Sequence, residues 1–109
     1  MRVLFDQGTP VEIAAFLTGH SIRTTRQEGW ETLANGDLLQ AAEDAGFEVL
    51  VSTDNGLGYQ QNLKGRKIAI VVLSRNRWRM VQRMIRKIAA AVDGAEPGSY
   101  GVSPEPLRF

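Results

Sequence analysis

The chain of 109 residues has no cysteine and one histidine, His20. Disulfides, thiolate nucleophiles and Cys/His zinc sites are therefore excluded, and serine chemistry relayed by histidine would rest on His20 alone. His20 follows Gly19 at an expected helix exit, where a polar loop residue is the ordinary reading. No apolar run approaches the roughly 20 residues of a membrane span. The N-terminus also lacks the basic head and apolar centre of a signal peptide, so a cytoplasmic location without a membrane partner is expected. No Gly-x-Gly-x-x-Gly or Walker sequence is present. Gly56-Leu-Gly58 lacks both the third glycine and a following long helix, which argues against a nucleotide cofactor. Acid is missing locally as well: residues 55 to 92 contain no Asp or Glu.

What the chain does contain is ordinary for one globular core. Hydrophobic residues make up 43% and charged residues 23% of the sequence, and the length suits a single compact unit. Arg2 to Phe5 reads as a short strand. Pro10 to Leu17 reads as a helix, with Thr9 as N-cap, Glu12 completing a capping box and Gly19 ending it. Ile22 to Thr25 reads as a second strand and Arg26 to Ala34 as a loop or short helix anchored by Trp30 and Leu33. Asn35 is expected to cap a helix from Gly36 to Ala45, with Leu38, Leu39, Ala41, Ala42 and Ala45 inward. Phe47 to Thr53 is a third strand, and Asn55 to Asn62 a loop or short helix.

Lys67 to Leu73 is a near-continuous apolar run through Ile68-Ala69-Ile70-Val71-Val72-Leu73, as expected of a strand covered on both faces in a parallel sheet. From Asn76 to Val92 a long helix is expected, carrying Trp78, Val81, Ile85, Ile88 and Val92 at helical spacing. Residues 1–92 would form the domain. Residues 93–109 carry three glycines and three prolines and read as a disordered tail or a short edge strand around Tyr100 to Val102. The alternation predicts an α/β fold of the small three-layer Rossmann-like class: a mainly parallel sheet of four to five strands in order 2-1-3-4, helices on both faces and right-handed crossovers.

In that order the reversal lies between the first and third strands, and Asp6 and Asp54 stand just past their ends. Ligands of open α/β sheets bind there, so two carboxylates make a candidate site for a hard cation. Asp37, in the first turn of the helix leading to the third strand, is a candidate third member. Converging carboxylates repel one another by on the order of a few kcal/mol unless a cation neutralises them. Mg2+ or Mn2+ would suit such an all-oxygen set, and the chemistry would be that of a metal-dependent nuclease. Each acid also has a local alternative: Asp6 in an Asx-turn ahead of Gly8, Asp37 at the helix dipole, Asp54 as a cap.

Charge is segregated. Residues 1 to 54 hold nine acidic and three basic side chains, whereas residues 55 to 92 hold nine basic ones. On the long helix Arg79, Arg83, Arg86 and Lys87 lie opposite Trp78, Val81, Ile85 and Ile88 and form a basic ridge that a phosphate backbone or an acidic protein would bind. Lys64, Arg66, Arg75 and Arg77 complete the candidate nucleic-acid-binding set. Trp30 and Trp78 read as core anchors rather than base-stacking platforms.

Met1-Arg-Val-Leu-Phe-Asp6-Gln-Gly-Thr-Pro10, Asn35-Gly-Asp37-Leu-Leu, Val51-Ser-Thr-Asp54 and Ile68-Ala-Ile-Val-Val-Leu73 together resemble the PIN-like proteins grouped as DUF5615. The resemblance covers roughly residues 1 to 92 and implies a PIN-like Rossmannoid fold. It also implies magnesium-dependent RNA cleavage, with the family's acidic residues falling on Asp6, Asp37 and Asp54, and the role of toxin beside an antitoxin protein. Exposed apolar edges would favour a homodimer, as in many PIN-like proteins. Two departures stand out: many relatives have an acid where this chain has Gln7, and PIN domains often add one where it has Asn55-Gly56-Leu57-Gly58. Fewer carboxylates favour one metal ion over two, or a non-catalytic module that binds RNA or a partner protein.

Overall fold

The computed structural model describes residues 1–54 and 65–103; the readings placed on Asn55 to Asn62, on Gly56 and Gly58 and on Lys64 lie outside them. Among the described residues five strands form one sheet: β1 (Arg2–Phe5), β2 (Ser21–Thr24), β3 (Val49–Ser52), β4 (Ala69–Leu73) and β5 (Tyr100–Ser103). Their order is β2-β1-β3-β4-β5, and every pairing is parallel. The chain is thus a small Rossmann-like α/β fold. Of the two readings of the tail, the edge strand is the one observed, with Tyr100 opposite Ile70 and Ser103 opposite Leu73.

The central strands are apolar on both faces because both faces are covered. Val3, Phe5, Val49, Val51, Ala69, Val71 and Leu73 point to one side, where they pack with Ile13, Leu17, Val81, Ile88 and Val92. Leu4, Leu50, Ile70 and Val72 point to the other and pack with Leu38, Leu39, Ala42 and Phe47. The second layer rests on α2 (Asn35–Asp44), while α3 (Trp78–Gln82) and α4 (Ile85–Asp93) cover the first. Among the described residues no helix is long and apolar enough to cross a membrane.

Several local expectations are corrected. Val11–Phe16 is a 3-10 turn, not an α-helix, and Thr9 does not cap it: its hydroxyl, almost fully buried, donates to the Val51 carbonyl instead. Ile13 and Leu17 are buried, but Val11 is 62% exposed. The capping box lies in the next segment. There Thr24 accepts from the Gln27 N–H and Gln27 reaches back to the Thr24 N–H, opening α1 (Thr25–Glu28). Trp30 packs edge-on against Phe47 at 6.0 Å, whereas Leu33 is exposed.

Ala34, not Asn35, is the N-cap of α2. The expected helix from Asn76 to Val92 is broken around Arg83 and Met84, yet its apolar face continues across the break, with Val81, Ile88 and Val92 fully buried. Leu50 lies on the central strand β3, fully buried in the α2-side layer. Leu50→Ala should lower the unfolding free energy by about 2–5 kcal/mol in urea titrations; a loss below about 1 kcal/mol would contradict the central position of this layer.

Candidate functional site

Because β1 and β3 run parallel with Phe5 opposite Val51, the chain leaves both strands at the same sheet edge. The Asp6 N–H donates to the Val51 carbonyl at 2.9 Å, and the Thr9 hydroxyl donates to the same oxygen at 3.0 Å. The Thr9 N–H returns to the Asp6 carbonyl at 3.1 Å, closing a turn over Gly8. Gly8 has φ +85°, and a Cβ there would stand 2.9 Å from the Thr53 hydroxyl, so both conformation and space require glycine. This tight exit fixes where the Asp6 side chain begins.

A polar chain then crosses from β1 to α2. The Asp6 carboxylate accepts from the Gln7 N–H at 2.8 Å and from the Ser52 hydroxyl at 3.0 Å. The Ser52 hydroxyl in turn accepts from the Asp54 N–H at 3.1 Å, and the Asn35 amide donates to the Asp54 carboxylate at 3.2 Å. Ser52 is fully buried, while Asp6, Asp54 and Asn35 are half-buried. The donors to Asp6 are neutral, and it has no ion pair among the described residues. Negative charge is therefore held in place at the strand-order reversal without a cationic side chain on Asp6.

Asp6 and Asp54 are thus linked through Ser52. Asp37 is exposed on the first turn of α2 and shares no hydrogen bond with either. Among the described residues, no three acidic or imidazole side chains come close enough to form a metal-binding group. Asp6 and Asp54, both half-buried at this end of the sheet, are the carboxylates that could hold a hard cation, which takes oxygen ligands and keeps several waters. The local alternative for Asp6 is realised only in part, since its carboxylate takes the N–H of the very next residue.

The basic candidates separate. Arg75 and Arg77 follow β4, whose exit neighbours that of β3, so they stand along the same edge as the two aspartates. Arg79 in α3, Arg86 and Lys87 in α4 and Arg83 at the break between them are all exposed, so the expected ridge is interrupted where the helix is. Arg66 lies before β4, at the opposite edge, where it bonds Glu43 at 2.8 Å and Gln40 at 3.3 Å. His20 is also at that far edge, just ahead of β2, and pairs with Asp93 at 2.6 Å. It stands apart from Ser52, so a serine–histidine relay is not assembled.

A cleft of about 330 Å3 opens beside Asp6, between the exits of β1 and β2. Phe5, Gln7, Gly8, Thr9 and Val11 line one side and Thr24, Thr25, Arg26 and Glu31 the other. Sequence reading missed this cleft, and it missed Ser52 and Asn35 as partners of the aspartates. A small polar residue ending an apolar strand, as Ser52 does in Val49–Ser52, was the available signal.

Two substitutions test this geometry. Gly8→Ala should cost at least about 1 kcal/mol of stability because the left-handed backbone and the Thr53 hydroxyl both oppose it. Ser52→Ala should cost about 1–3 kcal/mol by removing the hydroxyl that serves both Asp6 and the Asp54 N–H. Thermal and urea unfolding that is unchanged in both variants would contradict the tight exit. No family model, curated protein sequence or solved structure matches the chain.

Proposed function

We propose that this chain is a PIN-like protein that cleaves RNA with Mg2+ or Mn2+, at a site built on Asp6 and Asp54, in the role of a toxin held in check by an antitoxin protein. The observation that carries this reading is the Asp6–Ser52–Asp54 chain at the strand-order reversal, with the Asp6 carboxylate held by the neutral Gln7 N–H and Ser52 hydroxyl. A bound divalent ion would supply an acidified water and neutralise charge on the phosphodiester. Asp6 and Asp54 would hold that ion, while Ser52 orients the Asp6 carboxylate and Asn35 the Asp54 carboxylate. Arg75 and Arg77, along the same edge, would hold RNA phosphates, and the ridge of Arg79, Arg83 and Arg86 would extend the electrostatic track. The role of Asp37 in this reading is that of an outer carboxylate, since it shares no hydrogen bond with Asp6 or Asp54.

A second reading is a non-catalytic module that binds RNA or a partner protein. It is favoured by Gln7 in place of an acid and by the separation of Asp37 from the other two aspartates. The two readings part on one substitution. In the nuclease reading, purified protein cleaves single-stranded RNA with Mg2+ or Mn2+, and Asp6→Asn lowers the rate by at least about a hundredfold. Cleavage that survives Asp6→Asn would remove the assigned site. If no cleavage occurs but Arg83→Ala and Arg86→Ala weaken a salt-sensitive RNA affinity, the binding module is the correct reading.

A further inference from the structure

The cleft beside Asp6 carries chemistry that a metal site does not use. It opens on the β2 side of β1, whereas Asp54 lies on the β3 side, so Asp6 borders both. Arg26 and Glu31 line the cleft and are exposed, and their side chains make no hydrogen bond or ion pair among the described residues. Their neighbour Arg23 is committed, bonded to Glu28 at 2.7 Å. Phe5 and Val11 supply apolar wall, and the volume of about 330 Å3 is at the lower end for ligand pockets.

A cleft lined by both an acid and a base, with apolar wall, suits a neutral planar group that bears N–H donors, because the Glu31 carboxylate disfavours a phosphate there. We propose that this cleft receives the base of one unpaired RNA nucleotide adjoining the phosphate presented to Asp6, with the Arg26 guanidinium against its face and Glu31 accepting from its exocyclic amino group. The inference rests on the reading of Asp6 and Asp54 as a phosphodiester site. A base inside a duplex must be unpaired and unstacked before it enters such a cleft, which favours single-stranded RNA. Adenine and cytosine present an amino donor to a carboxylate, and uracil does not.

The test uses the full chain and short fluorescent oligo(A), oligo(C) and oligo(U) RNAs, with chelator present so that nothing is cleaved, read by anisotropy. Oligo(A) and oligo(C) should bind roughly tenfold more tightly than oligo(U). Glu31→Ala should erase that difference, and Arg26→Ala should weaken all three by a similar factor. Both residues are exposed, so the variants retain the fold, which circular dichroism checks. Equal binding of the three RNAs by the unmodified chain, or a preference unchanged in Glu31→Ala, overturns the inference. Metal-dependent cleavage lost in Asp6→Asn but indifferent to Arg26 and Glu31 leaves the nuclease reading standing and removes the cleft. A base preference that disappears in Glu31→Ala without any cleavage supports the cleft and removes the catalysis.

Discussion

The parallel pairing of β1 with β3 is the constraint on which the site depends. The chain runs from β1 outward to β2 on one side and then returns to place β3 on the other, which leaves the two exits adjacent. The last ladder contact, from the Asp6 N–H to the Val51 carbonyl, carries this register one residue beyond the strand. Val51 then takes a second donor from Thr9, which turns the β1 exit back over Gly8 and against Thr53. Asp6 is aimed by backbone geometry before its side chain meets any partner.

From that exit the rest of the edge acquires its electrostatic character. Ser52, buried at the end of an otherwise apolar strand, is the hinge of the polar chain: it donates to one aspartate and accepts from the backbone of the other. A hydroxyl is suited to this position because it can donate and accept at once, which a second carboxylate could not. The acidic half of the sequence supplies the aspartates, and the basic half supplies Arg75 and Arg77 along the same edge, with the α3–α4 ridge beyond. In the proposed function this division places metal-holding acids next to phosphate-holding cations without pairing the Asp6 carboxylate to any of them. Arg66, drawn to Glu43 at the far edge, shows that some of the basic excess serves the fold.

The strands and their order were legible because burial on both faces writes an unbroken apolar run, as in Val49–Val51 and Ala69–Leu73, and the positions of Asp6 and Asp54 follow from where those runs stop. Local capping rules misled where a tertiary partner outcompeted them. Thr9 looks like an N-cap by its neighbours, but its hydroxyl finds the buried Val51 carbonyl, and Asn35 looks like one too, but its amide reaches Asp54. Nothing in the residues around Arg83 and Met84, where no glycine or proline stands, marks the break between α3 and α4. Asp37 shares a helix with Asn35 but is exposed and joins no group of three acids among the described residues, which spacing along the chain does not encode. The cleft was invisible for a similar reason: Arg26 and Glu31 belong to a short helix and the turn after it, where no period exists to read, and only the fold brings them beside Gln7 and Val11.

The central claim is that Asp6 and Asp54, joined through Ser52, hold a divalent cation. Titrating Mn2+ into isotopically labelled protein and following paramagnetic broadening of the backbone amide signals tests it most directly. The account predicts early, selective broadening at Asp6, Gln7, Ser52 and Asp54, displaced by excess Mg2+ and greatly weakened in Asp6→Asn, with the Arg66 and His20 edge unaffected. Broadening centred elsewhere, or the same pattern in Asp6→Asn as in the unmodified chain, would contradict it.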